Sequence, residues 1–400
     1  MRRSWNAQEI KKMNRKIVLE TLHFNSPISR SEIADFTGLT RATVTNIIKE
    51  FEELGLIEEV GKKSGAHGRR RSLLKMKNDA FYVVGVELAR DEIRVGVFDT
   101  EANELSQECV EIEDSDTKDD VIGKLLSTIQ GTIDSSNVER KKIFGMGVGI
   151  PGPVDIEKGV PIMSPPDFVR VGNIPLKSIL EEKFQIPVWI DNDSNAAALG
   201  EKWYGMGKDY DNFVFVIADI GLGAGIIIDR EIYRGSLKAS GEVGHNPSCM
   251  SKSCVEIESK TSITRLQKVY EDITGKELST REILELAKKG DKDAKEALKR
   301  LNESLSYAIV SLANILSPEA IIIGGRVASV KEITLKEVKK TLDKFLFCPE
   351  RPKVFVTDFL GRIELLGAAA IAIEEIVSQP YEFILNKEEQ LNLRRGGVAL

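Results

Sequence analysis

The chain has 400 residues, with 56 Lys+Arg against 62 Asp+Glu and a formal net charge of −6, a length that suits two or three domains. Its four cysteines, Cys109, Cys249, Cys254 and Cys348, are too few for a disulfide framework, and no apolar run approaches membrane-spanning length. Met1-Arg2-Arg3 is basic but no apolar core follows it, so the expected setting is a reducing cytoplasm, with no leader and no membrane partner. The charge is uneven. Residues 1–75 hold 15 Lys+Arg and 9 Asp+Glu, leaving 41 and 53 for the remainder. A basic head on an acidic body is the distribution of a DNA-reading module joined to a separate globular domain.

Residues 14–24 (NRKIVLETLHF) have the pattern of a packing helix. Residues 28–51 (ISRSEIADFTGLTRATVTNIIKEF) read as a helix-turn-helix. Ser29 is an N-cap with Glu32 at capping-box spacing. Ile33 and Ala34 give a short apolar face, and Gly38 falls where a tight turn needs positive φ. Thr40 caps a second helix whose stripe is Val44, Ile47, Ile48 and Phe51. The opposite face carries Arg41, Thr43, Thr45, Asn46 and Lys49. Of these, Arg41, Thr43, Thr45 and Asn46 suit base edges in a major groove. Residues 60–72 (VGKKSGAHGRRRS) are expected to form a basic, glycine-rich wing tip, with Leu73, Leu74 and Met76 as the returning strand. Lys49, Lys62, Lys63, Arg69, Arg70 and Arg71 are candidates for phosphate or minor-groove contact. Double-stranded DNA is therefore an expected partner.

A polar linker is expected at residues 75–80. Behind it, residues 81–88, 92–99 and 105–112 read as strands, 117–133 as a helix, and 143–150 and 187–191 as buried strands, with a helix at 194–204. A second cycle follows. It has strands at 213–219 and 224–229 around a glycine turn, a long helix at 294–316, strands at 320–323 and 354–356, and a helix at 363–376. Alternating strands and helices in two similar halves predict an α/β body of two lobes around a cleft.

Behind the helix-turn-helix, three runs stand in order: Gly-Ile-Pro-Gly-Pro-Val-Asp at 149–155, Asp-Asn-Asp-Ser-Asn-Ala-Ala-Ala-Leu-Gly-Glu at 191–201, and Gly-Glu-Val-Gly-His at 241–245. Together they resemble the ROK family of sugar kinases and sugar-responsive repressors, across residues 14–376. The resemblance implies a winged helix-turn-helix domain (1–75) followed by a two-lobed actin-like ATPase (ribonuclease H-like) fold. The first lobe would be 80–192 plus 362–380, the second 193–361, and 381–400 a C-terminal tail.

The resemblance places Asn192 and Asp193 against sugar hydroxyls, with Glu242, His245 and Glu256 across from them. In a kinase of this family Asp193 would be the general base, and Gly221, Gly223, Gly225, Gly324 and Gly325 would serve the nucleotide. Three departures tell against turnover. Glu87-Leu88-Ala89-Arg90 replaces a glycine-rich phosphate turn, Asp219 and Ile220 replace a small residue and a threonine, and Arg326 replaces a third glycine. A family zinc site is reduced to His245, Cys249 and Cys254, one ligand short of a closed tetrahedral set, so no cofactor is expected with assurance. The expected function is a sugar-responsive DNA-binding regulator, most simply a repressor of carbohydrate-utilisation genes. It would act as a homodimer or higher homo-oligomer on a pseudo-palindromic operator. The alternative is an ATP-dependent sugar kinase. Sugar selectivity is expected in the loops at 161–173.

Overall fold

The computed structural model describes residues 6–64, 70–163, 174–248 and 255–379. The head starts with α1 (Ala7–Asn25), opened by a capping box between Asn6 and Glu9. Short β1 (Ile28–Ser29) leads into α2 (Arg30–Thr37), where Ser29 and Glu32 form the expected capping box. Gly38 ends α2 at φ 69°, and Thr40 caps α3 (Arg41–Glu53) by accepting from the Thr43 amide. Val44, Ile47, Ile48 and Phe51 are all buried. The wing strands β2 (Ile57–Ser64) and β3 (Arg70–Met76) are antiparallel, and β1 adds to β3 as a third strand. They correct the expected wing boundaries. Residues 60–64 and 70–72 belong to the strands, and the tip itself lies outside the described residues.

The linker also differs from expectation. Met76 is buried in the head core, the Lys77 amide donates to the Leu56 carbonyl, and the Thr100 hydroxyl donates to the Lys77 and Asn78 carbonyls. Head and body thus share one core, in which Val18, Leu19 and Leu22 of α1 join Phe81, Trp203, Ile373 and Val377 of the body.

The first lobe contains β4 (Tyr82–Leu88), β5 (Glu92–Phe98), β6 (Glu104–Glu111), α4 (Lys118–Ser135) and β7 (Ile143–Ile150). A small hairpin, β8 (Val154–Asp155) and β9 (Val160–Pro161), precedes α5 (Leu176–Phe184), β10 (Val188–Asn192) and α6 (Asp193–Tyr204). The second lobe contains β11 (Phe213–Ala218), β12 (Leu222–Ile228), β13 (Glu231–Ile232), β14 (Pro247–Ser248) and β15 (Val255–Glu256). Helices α7 (Glu258–Thr261), α8 (Ile263–Thr274), α9 (Thr280–Lys288) and α10 (Lys292–Leu316) follow, then β16 (Ala320–Gly324), α11 (Lys331–Phe345) and β17 (Lys353–Val356). The last helix, α12 (Ile363–Ser378), packs on β4 and β7 of the first lobe. Helices α5, α7, α8 and α9 are additions to the elements expected from sequence.

The two five-stranded sheets have one topology. Their orders are β10-β7-β4-β5-β6 and β17-β16-β11-β12-β13, each an antiparallel meander extended by two parallel strands. Such a repeat puts equivalent strand ends on either side of one cleft. Among the described residues no helix is long and apolar enough to cross a membrane.

Candidate functional sites

The head presents one basic face. Arg41, Thr45, Asn46 and Lys49 are exposed along α3, and Thr43 is half-buried. The Thr45 hydroxyl donates to the Arg41 carbonyl at 2.7 Å and the Thr43 hydroxyl pairs with Thr40, so both are partly committed to the helix itself. The acidic residues of the same helix are neutralised from behind, with Glu50 paired to Arg15 and Lys11 and Glu52 to Arg30. The third, Glu53, pairs with Lys49 at 3.6 Å on the exposed side, so Arg41 and a partly neutralised Lys49 share the outward face. Lys62, Arg70 and Arg71 are exposed on the wing, and Lys63 lies 3.4 Å from Glu32. Arg69 lies outside the described residues.

A cavity of about 700 Å³ separates the lobes. One end holds Gly152, Asn192, Asp193, Glu242 and His245. Asn192 terminates β10 and caps α6. Its Oδ1 accepts from the Ser194 and Asn195 amides, and its Nδ2 donates to the Gly152 carbonyl at 3.1 Å. The cap fixes the Asn192 amide at the mouth of the cleft, beside Asp193. Asp193 opens α6 and accepts from the Ser194 amide at 2.7 Å. Burial raises its carboxyl to about 6, although the Ser194 amide and hydroxyl pull it down. Burial also raises Glu242, and repulsion from Asp193 adds to this. Gly241 makes this arrangement possible. It has φ 90°, and a Cβ there would lie 1.8 Å from the Ala224 carbonyl oxygen.

Glu256 is a correction. It does not line the cavity, its side chain is 60% exposed, and it reaches the site only through His245 Nδ1 at 3.2 Å. Glu258 lines the cleft instead, accepting from the Leu222 amide at 2.9 Å. Nothing in the sequence distinguishes these two glutamates except that one lies on a strand and the other begins α7. Cys249 and Cys254 lie outside the described residues. Among those described, no group of three His, Cys, Asp or Glu could hold a metal ion.

The other end of the cleft is bridged by side chains of the two lobes. Gly221, Gly223 and Gly325 line it, whereas Gly225 packs under Ser194 and Gly324 against the Phe215 ring, away from the cavity. Arg326 ties three loops together. Its backbone amide and Nε donate to Asp219 at 2.8 and 2.6 Å, and its Nη2 donates to Asp91 of the opposite lobe at 3.3 Å. Arg90 adds a second cross-cleft pair with Glu258 at 3.9 Å. Arg234 with Asp191 at 2.7 Å and Lys238 with Asp155 at 2.8 Å join the lobes near the other end.

Beneath these pairs lie two buried carboxyls, Glu87 and Glu364. Arg94 donates to Glu87 at 2.9 Å and to the Gly361 carbonyl. Glu87 Oε2 and Glu364 Oε2 have no hydrogen-bond partner among the described residues. Burial raises both acids, Glu87 well above the ordinary range and Glu364 to about 7. A folded state that holds these protons more tightly than the unfolded chain loses stability as pH rises from about 4.5 through about 7. Glu364→Gln should therefore stabilise the protein at pH 8, by roughly 1–3 kcal/mol, with the gain fading by pH 5. Denaturant midpoints at the two pH values measure this, and a variant less stable at pH 8 would refute it.

Fold and cleft define a class: a winged helix-turn-helix regulator built on a two-lobed, kinase-like body. A family model described as ROK family matches residues 83–375, and one for a Crp-like helix-turn-helix domain matches residues 10–67. The chain belongs to the ROK family. It is 29% identical over 398 residues to a xylose repressor of Caldicellulosiruptor bescii, covering 94% of this chain and 99% of that one. It is 27% identical over 353 residues to the DNA-binding transcriptional dual regulator NagC of Escherichia coli K12, covering 84% and 86%. A solved ROK family transcriptional regulator, described as a homolog of the E. coli MLC protein, superposes with a TM-score of 0.77 at 24% identity, over 94% of this chain and 98% of that one. A Streptomyces griseus ROK glucokinase in complex with glucose and AMPPNP gives 0.66 at 25%, over 72% and 98%.

Proposed function

We propose that this protein is a sugar-responsive transcriptional repressor, and that a neutral sugar held between Asn192, Asp193, Glu242 and His245 controls the operator affinity of the head. The observation that carries this is the pairing, in one chain, of a basic recognition face with a cleft that is polar at one end and bridged by Arg326 at the other. The curated relatives named xylose repressor and NagC support the same assignment. Acceptors and donors of this kind, once a ligand covers them, select by leaving the wrong ones unpaired. A thermal-shift screen with xylose, glucose and N-acetylglucosamine tests it, followed by operator binding with each hit. A sugar that stabilises the protein without changing DNA affinity would be ruled out as the effector.

Arg41, Thr43, Thr45 and Asn46 are assigned to base edges. Lys49, Lys62, Lys63, Arg69, Arg70 and Arg71 are assigned to phosphates or the minor groove. Arg41→Ala should relax sequence preference, by about 1–3 kcal/mol at one position. Lys62→Ala should weaken all sequences alike and lower the salt slope by about one. Titrations against operator and random DNA at several salt concentrations separate the two, and identical behaviour of both variants would count against the assignment. The protein would act in the cytoplasm as a homodimer, whose two heads require half-sites about one helical turn apart or a multiple of it.

The kinase reading rests on one observation. Asp193 is enclosed, sits at the cleft, and has a carboxyl near 6, which suits a general base. ATP consumption with the same sugars, lost in Asp193→Asn, would establish it.

A further inference from the structure

Two helices run from the cleft to the head. Helix α6 begins with Asp193 at the sugar end of the cavity and finishes with Lys202, Trp203 and Tyr204 under α1. Its 12 residues span about 18 Å. Helix α12 begins at the other end of the cavity with Glu364 and carries Glu374 at the head junction.

The two helices have different anchors. Glu201 fastens α6 to the second lobe, accepting from the Thr357 hydroxyl and from the Met206 amide at 2.8 Å, while Gly225 of β12 packs against the Ser194 backbone. Helix α12 packs on the first-lobe strands β4 and β7. Between α6 and α12 the contact is made by small residues. Gly200 abuts Ile363 and Gly367, and Gly367 lies beneath the Ala196 carbonyl. Small residues leave few side chains to interlock there, Ile363 against Gly200 being one, and small sliding of packed helices is one way proteins switch.

The head sits across this boundary. Glu20 of α1 accepts from Lys202 of α6 at 3.0 Å, and Lys16 of α1 lies 2.7 Å from Glu374 of α12 and 2.8 Å from Glu231 of β13. Lys202 and Glu374 pair with each other at 3.4 Å, and the Trp203 indole donates to Glu374 at 3.3 Å. His23 Nε2 donates to the Trp203 carbonyl at 3.0 Å, and Arg230 of the second lobe lies over the Phe24 ring. A displacement of α6 along α12 cannot preserve all these pairs, because α1 is bound to both.

We propose that α6 is the transmission element of this protein: sugar at its Asp193 end shifts it along α12, and the Lys16–Glu20–Lys202–Glu374 cluster converts that shift into a change in the seating of α1. This rests on the sugar-responsive reading above and adds the route. Lys16 and Glu20 are positioning residues that touch neither sugar nor DNA.

The test uses the full-length protein with xylose, glucose and N-acetylglucosamine, and an operator enriched from random DNA by sugar-free protein. Wild type should show an operator affinity shift within the ordinary allosteric range of about 5- to 150-fold. In Glu20→Gln and in Lys16→Met the shift should fall below about threefold, while sugar Kd and sugar-free operator Kd change little. Hydrogen exchange of the α1 amides, responsive to sugar in wild type, should become unresponsive in both variants. A full wild-type shift in both variants overturns the proposal. So does a sugar that binds wild type and moves the operator without altering α1 exchange. If no sugar binds wild type at all, the sugar-responsive reading fails first and this proposal with it.

Discussion

Asp193→Asn should shift control of the operator to sugar concentrations roughly one to two orders of magnitude higher while leaving sugar-free DNA binding intact. The carboxylate opens α6 inside the cleft and already accepts from the Ser194 amide and hydroxyl. Asparagine keeps an oxygen for the amide but replaces the charged acceptor with a donor. Loss of one charge-assisted hydrogen bond costs about 1.5–3 kcal/mol, so sugar affinity should fall by roughly one to two orders of magnitude. The pH dependence identifies the cause. Burial lifts the carboxyl to about 6, so below that pH a proton competes with the sugar hydroxyl. Wild-type affinity should drop as pH falls from 7 to 5, and the asparagine variant should stay flat. Calorimetric titration at the two pH values decides this, and parallel pH profiles would assign the effect to another group.

The largest stability effect is expected at Glu374→Ala. This carboxylate is enclosed among Lys16, Lys202 and the Trp203 indole, and Lys202 is only 1% exposed. Removing one partner of a buried ionic cluster typically costs 3–5 kcal/mol, because the charges left behind have lost their compensation. Burial alone would push the Glu374 carboxyl up, but Lys202 and Lys16 hold it down to about 2. A depressed carboxyl contributes stability above its unfolded value near 4.5 and loses it as pH falls toward 2. The gap between wild type and variant should therefore be widest at pH 7 and narrow by pH 3. Urea denaturation at both pH values measures it. A constant gap would mean that the side chain acts through packing.

Local rules carried most of the head. Ser29, Gly38 and Thr40 are caps and a turn whose chemistry is written in neighbouring residues, and the structure uses them as expected. The doubled α/β pattern was likewise legible, because the buried strands are short apolar runs, several of them ended by glycine or aspartate. Pairings between distant residues were not. Asp219 and Arg326 read from sequence as two separate departures from a phosphate site, yet they are partners, 107 positions apart. Nothing local marks Lys202, in the last turn of α6, as buried. Only the approach of α1 and α12 makes it a buried cation. Glu256 and Glu258 differ by two positions, and the strand-to-helix change between them decides which faces the cleft.

The Arg326 bridge also makes the present design hard to reverse. A glycine at 326 would take away the one guanidinium that binds both Asp219 and Asp91, and leave two carboxylates beside the cleft without it. Such a cleft repels anions more strongly than before. Neutralising either aspartate first leaves Arg326 paired with the other, whereas losing Arg326 first leaves two carboxylates facing any polyphosphate. The order of change at these three positions is therefore constrained: a route toward an anion-accepting cleft runs through Asp91 or Asp219 before Arg326.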